Sequence, residues 1–340
     1  MKKTAILLLK VAVSAGLFAY IFHKVDARHL WEIMRTAKFS FLAGAIVVYL
    51  VIQVLSAYRW RLLLIPLQMK VPFGKLLAYY FLGMYSNLFL PSAIGGDVVR
   101  IYYLNKVTRR LSGSSTSVFL DRDLGLAALL LIATVVAAVT GISFNGVALA
   151  PIFVLISVAF VAANLVIFYK PSYRLLHKLL SLLRMKSVDE KVERLFGSVN
   201  SYRGAWRVLL LSLVVSILIQ LGGVLVNLLN GWAIGLQTRG GATDYMVFIP
   251  AIMLIIMIPL SIGGLGWREL SFIAFFKSVG ATEAQAVTLA LLWFAVQVVT
   301  SLPGGIIYIS EVVRKKEHIS AQVDRQGGKQ GAGLAPGEPM

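Results

Sequence analysis

The chain has 340 residues, of which 58% are hydrophobic and only 14% are charged, and its mean hydropathy is +0.81. Soluble domains are roughly half apolar and about a quarter charged, so this composition excludes an ordinary soluble protein. The net charge of +18 does not indicate nucleic-acid binding, because the basic residues lie between apolar segments as they do in membrane proteins. The absence of cysteine excludes disulfides and thiolate metal sites.

Six apolar segments are long enough to cross about 30 Å of hydrocarbon as helices. They are residues 4–22, 41–57, 124–144, 151–169, 208–229 and 284–309. The first could instead be a signal peptide, but Lys10 interrupts its apolar region. Two further runs, 76–90 and 246–260, reach only about 22 Å as helices, and each ends in a break rich in proline and glycine.

The distribution of basic residues favours one topology. If both short runs are re-entrant hairpins, most of the 33 Lys and Arg residues fall on the cytoplasmic side. If the first short run, or both, crossed the membrane fully, the basic stretch 170–207 would face outward, against that rule. The sequence therefore predicts an all-α polytopic membrane protein with six transmembrane helices and two re-entrant helical hairpins. We expect it in the plasma (bacterial inner) membrane, with both termini cytoplasmic.

The two breaks share the pattern P-x3-G-G-x3-R, once from Pro91 to Arg100 and again from Pro259 to Arg268. Apolar spans precede and follow each copy at equivalent points, and the charge distribution makes the two halves enter from opposite faces. This predicts an inverted-topology repeat, as in many transporters, with repeats at about residues 4–144 and 151–310. Residues 1–318 would form a single transmembrane domain. Residues 319–340 are too poor in apolar residues to fold and are predicted to be a disordered cytoplasmic tail.

The residues of this pattern suit an anion site. Proline ends the incoming helix, and the glycine pair allows a tight turn at membrane depth. The segment after the glycines starts a returning helix, whose N-terminus carries a partial positive charge. Arg100 and Arg268 lie beside that end, where a guanidinium is favourable if an anion such as phosphate binds there. Alternatively the pattern only shapes the turn, and Arg100 pairs with Asp97, while Arg268 pairs with the adjacent Glu269 or with an acidic residue of another helix.

Asp121 and Arg122 form a second candidate cluster, just before the span 124–144. They are either a solvated cap of that span or face the same cavity as Arg100 and Arg268. Asn87, Ser92 and Ser261 are weaker polar candidates, since such side chains more often contact other helices. The predicted substrate-binding set is Arg100, Arg268, Gly95, Gly96, Gly263, Gly264, Ser92, Ser261, Asp97, Glu269, Arg122, Asp121 and Asn87. We expect no metal and no cofactor, because the four histidines lack a second ligand at metal spacing and no phosphate-binding loop motif occurs.

Several of these motifs resemble the lysylphosphatidylglycerol synthase/flippase transmembrane family. The similar residues are Asn87-Leu88-Phe89-Leu90-Pro91-Ser92 with Gly95-Gly96-Asp97 and Arg100, Arg59-Trp60-Arg61, Asp121-Arg122 with Gly125-Leu126, and the later Pro259, Ser261, Gly263-Gly264, Gly266 and Arg268-Glu269. The resemblance covers roughly residues 5–315 and implies a lipid-translocation fold. In bifunctional members this region moves aminoacylated phosphatidylglycerol between leaflets, and a separate soluble domain makes that lipid. The resemblance implies a stand-alone member without the aminoacyltransferase domain.

The leading hypothesis is therefore a translocator, not an enzyme, that moves an anionic or aminoacylated phospholipid, or another lipid phosphate, between leaflets. Arg100 and Arg268 would receive the phosphate near the midplane, and Asp97 and Glu269 would balance charge or carry protons. A second hypothesis is a gradient-coupled carrier of a small anion. A third is a non-transporting membrane subunit that supports a lipid-modifying enzyme. The expected partner is a membrane lipid and not nucleic acid, and both a homo-oligomer and a separate lipid-modifying enzyme remain open as protein partners.

Overall fold

The computed structural model describes residues 27–89, 95–168, 199–258 and 264–331, together with Gly16, Gly197 and Ser261. These residues form ten helices and one small β-hairpin. The helices are α1 Ala27–Arg35, α2 Phe39–Leu64, α3 Phe73–Phe89, α4 Gly95–Thr108, α5 Leu111–Thr140, α6 Leu149–Phe168, α7 Trp206–Ala233, α8 Ala242–Ile256, α9 Trp267–Lys277 and α10 Glu283–Gly331. The strands β1 Ser143–Phe144 and β2 Val147–Ala148 pair antiparallel between α5 and α6.

Among the described helices, α2, α5, α7 and the Glu283–Ser310 part of α10 are long and apolar enough to cross a membrane. They match four of the six predicted spans and confirm a multi-span helical membrane protein. The predicted span 151–169 is also helical, but its described apolar stretch, Leu149–Leu165, is shorter. The predicted span 4–22 lies outside the described residues, as does most of the basic stretch 170–207.

Each predicted hairpin is a pair of short helices that pack against each other. In the first pair, α3 has 17 residues and α4 has 14, and in the second, α8 has 15 and α9 has 11. Even the longest reaches only about 25 Å, less than the hydrocarbon thickness. In the second pair, the described backbone before α9 turns where the proline-glycine pattern predicts, whereas residues 90–94, between α3 and α4, lie outside the described residues. Gly264 and Gly266 adopt φ of +76° and +79°, a conformation that a residue with a side chain rarely takes.

The helix packing repeats between the two halves of the chain. The four helices α2–α5 correspond in order to α7–α10. For every pair of these eight helices that packs together, the corresponding pair in the alignment also packs together. For example, α3 packs against α10, and its counterpart α8 packs against α5. The aligned helices α2 and α7 pack extensively against each other. This reciprocity is expected of two similar halves related by a pseudo-two-fold axis.

The outer faces of the bundle are apolar. Large apolar side chains are exposed on α2, at Val47 and Val51, and on α6, at Leu155 and Val158. The helices α5 and α7 carry further exposed valines and leucines. Large exposed apolar surfaces indicate contact with an apolar environment, which for membrane-spanning helices is lipid. The described residues form three buried hydrophobic clusters: one centred on the first half, one on the second, and a smaller one shared by α2, α7 and α10.

The last helix is longer than its predicted span. The backbone of α10 is helical to Gly331, beyond the predicted end of the span at residue 309, and the disorder predicted for residues 319–340 stays a prediction. Residues 332–340 lie outside the described residues.

Candidate functional site

A cavity of about 320 Å³ lies between the two halves of the bundle. Its described lining comes from seven helices, namely α2, α3, α4 and α5 of the first half and α7, α8 and α10 of the second. Three guanidiniums, of Arg59, Arg100 and Arg122, and two carboxylates, of Asp97 and Asp121, lie on its wall. The formal charge of these groups sums to one positive charge.

Asp121 is the centre of a buried ion-pair network. Its Oδ1 accepts a hydrogen bond from Nε of Arg59 at 2.8 Å, and its Oδ2 accepts one from Nη2 of Arg100, also at 2.8 Å. The Asp121 side chain is only 1% exposed. Arg59 also donates from Nη1 to Oγ of Ser216 in α7 at 2.8 Å. The network therefore joins α2, α4, α5 and α7.

Asp97 links two of the three cavity guanidiniums. It lies in the first turn of α4, where its Oδ1 is 3.5 Å from Nη1 of Arg100 and its Oδ2 pairs with Nε of Arg122. The Arg122 side chain is 41% exposed, unlike those of Arg100 and Asp97. Arg122 is thus the cavity cation that solvent or a ligand reaches most easily.

Two aromatic rings fix the position of Arg100. Its guanidinium carbon lies 4.3 Å from the ring centres of both Trp60 and Tyr80, a favourable cation–π geometry. Its Nε is buried and has no hydrogen-bond partner among the described residues. A buried unsatisfied donor on a charged group is costly and is a common feature of sites that bind a ligand.

Close backbone packing brings α4 to this position. A Cβ added to Gly96 would lie 2.2 Å from the carbonyl oxygen of Gly83, so the two short helices can approach only because Gly96 has no side chain. Asn87 also joins the end of α3 to the start of α4, because its Oδ1 accepts a hydrogen bond from the backbone N–H of Gly96 at 2.6 Å. A Cβ on Gly83 would also meet the Arg100 side chain at 2.9 Å. These glycines therefore place the guanidinium.

The second break holds a separate ion pair. Oε1 of Glu269 accepts from Nε of Arg268 at 3.0 Å and from its Nη2, and Oε2 of Glu269 accepts from the backbone N–H of Gly266 at 2.6 Å. Both side chains are almost fully buried. The guanidinium carbon of Arg268 lies 4.6 Å from the centre of the Phe294 ring and 5.8 Å from that of Trp293. Trp293 lines the cavity, whereas Arg268 and Glu269 do not.

The structure thus separates the predicted site residues into groups. Those that line the cavity are Arg100, Asp97, Asp121, Arg122, Asn87 and Gly96. Gly95 begins the described part of α4, and Gly264 forms the turn before α9. Ser261 is buried away from the cavity, and its hydroxyl has no partner among the described residues. Ser92 and Gly263 lie outside the described residues.

The main site residue that the prediction omitted is Arg59. The span was expected to end at residue 57, which left Arg59 in a solvated connection, but α2 continues to Leu64 and Arg59 is only 5% exposed. The apolar run Leu62-Leu63-Leu64 directly after it was the available signal, because a charge inside a continuous helix at membrane depth is expected to have a functional partner.

Amide side chains also line the cavity. Gln220 and Asn227 project from α7, and each donates its N–H₂ group to a backbone carbonyl, of Gly125 at 2.9 Å and of Gly223 at 3.0 Å. Nothing in the sequence marks these two amides as site residues, since polar residues in an apolar helix commonly make only helix–helix contacts. Among the described residues, no group of three or more His, Cys, Asp or Glu side chains could hold a metal ion.

The comparisons with known proteins agree with a membrane protein. A family model described as the lysylphosphatidylglycerol synthase TM region matches residues 7–304. The UPF0104 membrane protein PH1989 of Pyrococcus horikoshii is 26% identical over 310 residues, which is 82% of this chain and 89% of that protein.

Proposed function

The chain belongs to the family of the lysylphosphatidylglycerol synthase transmembrane region, and we propose that it moves an anionic or aminoacylated phospholipid, or another lipid phosphate, between the leaflets of the membrane. The observation that carries the proposal is the polar cavity between the two halves of an apolar bundle, with three guanidiniums on its wall. Charged groups among spanning helices are expensive, so they are retained where they contact a substrate or an ion. Transport rather than catalysis is proposed.

In this proposal the lipid phosphate binds at Arg100 and Arg122, and the acyl chains stay in the bilayer. Asp97 now bridges these two guanidiniums. A phosphate accepts the same charge-assisted hydrogen bonds as a carboxylate, so it can bind beside Asp97, at Nε of Arg100, which has no partner among the described residues, and at the guanidinium of Arg122. Asp121 stays paired with Arg59 and Arg100, and Asp97 keeps its contacts with Arg100 and Arg122, so neither carboxylate loses its partners when the substrate enters.

The proposal also assigns a membrane arrangement. The pairs α3–α4 and α8–α9 are re-entrant hairpins that enter from opposite faces and meet beside the cavity, which requires the inverted repeat. The helix lengths and the reciprocal packing of the two halves support this arrangement. Arg268, which was expected to share the phosphate with Arg100, has a supporting role here, because its guanidinium pairs with Glu269 and stacks behind Trp293.

The test is a leaflet-exchange assay in proteoliposomes with a fluorescent phospholipid and a membrane-impermeant quencher. Arg122→Gln should lower the exchange rate about tenfold, because a charge-assisted hydrogen bond to phosphate is worth roughly 1.5–3 kcal/mol. The matched control is Lys277→Gln, which removes one charge from an exposed pair with Glu283 far from the cavity wall. The control should exchange lipid at the wild-type rate.

Three results would contradict the proposal. One is a wild-type protein that does not accelerate leaflet exchange in liposomes of any anionic lipid composition. Another is an Arg122→Gln variant that matches the wild type while remaining folded. Uptake of soluble phosphate without lipid exchange would instead identify a small-anion carrier.

A further inference from the structure

We propose that the cavity selects an anionic phosphodiester headgroup that carries hydroxyl groups, such as glycerol or a sugar, and discriminates against a cationic aminoacylated headgroup. The inference rests on the proposed translocation function and narrows its substrate class. It comes from two features of the cavity wall, which are the fixed orientation of its amide groups and the full engagement of its carboxylates.

The amide orientations are dictated by the backbone. Nδ2 of Asn227 donates to the carbonyl of Gly223, and Nε2 of Gln220 donates to the carbonyl of Gly125. A carbonyl accepts hydrogen bonds only, so neither amide can be turned round without losing that bond. The oxygen atom of each amide is therefore directed away from its backbone partner.

One of these oxygens has no partner. Asn227 is completely buried, and its Oδ1 makes no hydrogen bond to any described residue, although its side chain lies on the cavity wall. An unsatisfied buried acceptor costs about 1–3 kcal/mol, which a ligand that donates a hydrogen bond would recover. A hydroxyl group is such a donor, whereas an alkyl phosphodiester ester group is not.

The guanidiniums and the amide with the unsatisfied oxygen come from different halves of the protein, although the amides Gln53 and Asn87 of the first half also line the cavity. The guanidiniums belong to α2, α4 and α5, and the amides Gln220 and Asn227 belong to α7. A headgroup with phosphate at one end and hydroxyls at the other fits this division. The phosphate faces the first half and the hydroxyls face α7, so the substrate connects the two halves.

The carboxylates leave no place for an ammonium group. Asp121 accepts from Arg59 and Arg100, and Asp97 accepts from Arg100 and pairs with Arg122. Three guanidiniums exceed two carboxylates, so an aminoacyl ammonium would enter a cavity of its own charge sign. Like charges at contact distance in a partly dry site repel strongly. The cavity therefore disfavours a headgroup with net positive charge.

The test measures binding rather than transport, so its outcome does not depend on translocation. Purified protein is placed in nanodiscs of zwitterionic lipid with equal amounts of three phosphodiesters, and the lipid retained is quantified by native mass spectrometry. Phosphatidylethanol has the charge but no hydroxyl, phosphatidylglycerol has both, and lysylphosphatidylglycerol is cationic. Phosphatidylglycerol should bind about fivefold more tightly than phosphatidylethanol, the effect of one net hydrogen bond, and about tenfold more tightly than lysylphosphatidylglycerol.

Three variants of α7 locate the selectivity. Asn227→Leu should abolish the preference for phosphatidylglycerol over phosphatidylethanol. Asn227→Asp adds a carboxylate to the amide wall and should raise the binding of lysylphosphatidylglycerol. The matched control is Asn230→Leu, which removes another completely buried asparagine of the same helix that does not line the cavity. It should retain the wild-type preference.

Equal binding of phosphatidylglycerol and phosphatidylethanol by the wild type would overturn the inference, and so would binding of lysylphosphatidylglycerol as tight as that of phosphatidylglycerol. These comparisons use the unmodified protein, so a variant that fails to fold does not remove the test. Selective binding without leaflet exchange would support the headgroup site and refute translocation. Leaflet exchange without selective binding would support translocation and refute the headgroup site.

Discussion

The Asp121 network makes a quantitative prediction about stability. Asp121→Asn removes the carboxylate that lies between Arg59 and Arg100 and keeps the shape of the side chain. The asparagine retains one oxygen, so it can accept from only one guanidinium, and its N–H₂ group faces the other. Two buried guanidiniums then lose their shared counter-ion, and Asp97 is the remaining carboxylate on the cavity wall.

The magnitude follows from burial. Both side chains of each pair are at least 94% buried, so water cannot replace the lost contact. Removal of one partner from a buried ion pair typically costs 3–5 kcal/mol. We therefore expect the free energy of unfolding of Asp121→Asn to fall by about 4 kcal/mol.

The measurement is reversible unfolding in mixed micelles, followed by helical circular dichroism. Asp123→Asn is the matched control, because Asp123 lies on the same helix and accepts only a longer hydrogen bond, from Nδ2 of Asn164 at 3.2 Å, among the contacts described. It should lose less than about 1 kcal/mol. If the two variants are equally stable, Asp121 is not the centre of a buried network and the description of the cavity is wrong.

Two further predictions concern the breaks. Gly96→Ala should lower the free energy of unfolding by about 2–3 kcal/mol, because the added methyl group collides with the carbonyl of Gly83, whereas Gly74→Ala, in open space on the same hairpin, should be neutral or slightly stabilising. Thermal unfolding of the two variants would decide this, and equal midpoints would refute the close approach. Arg268→Met should cost about 3 kcal/mol because it leaves the buried Glu269 without its guanidinium, and the double variant with Glu269→Gln should recover most of the loss. If the double variant were less stable than Arg268→Met, the ion pair with Glu269 would not be the way in which Arg268 stabilises the protein.

Much of the fold was predictable because its determinants are local. The length of an apolar run decides whether a helix can cross the hydrocarbon, and proline and glycine end helices wherever they occur. The runs before Pro91 and Pro259 therefore predicted the short helices α3 and α8, and the glycines after Pro259 predicted the turn before α9. Family membership was predictable for the same reason, since the motifs are contiguous, and the match over residues 7–304 confirms it.

The partners of Arg59 near the end of α2 were not predictable from the hydropathy pattern. Arg59 and Arg61 looked like the start of a loop, because charges are expelled from lipid unless they have partners. The partners of Arg59 are Asp121, 62 positions later, and Ser216, 157 positions later. No local rule gives contacts at such separations, so the run Leu62-Leu63-Leu64 indicates that the helix continues past Arg59 but not which residues Arg59 contacts.

The sequence by itself determined that the chain is a helical membrane protein, where its helices break, and that its two halves repeat the same pattern. The tertiary structure decided which charges meet. Arg100 and Arg268 occupy equivalent positions in the repeat, yet only Arg100 lines the cavity, because a carboxylate from another helix, Asp121, holds it there, whereas Arg268 pairs with its own neighbour. When a helix is apolar on all faces, its sequence periodicity does not indicate which face contacts which neighbouring helix. Only the tertiary packing therefore shows that the polar residues share one cavity.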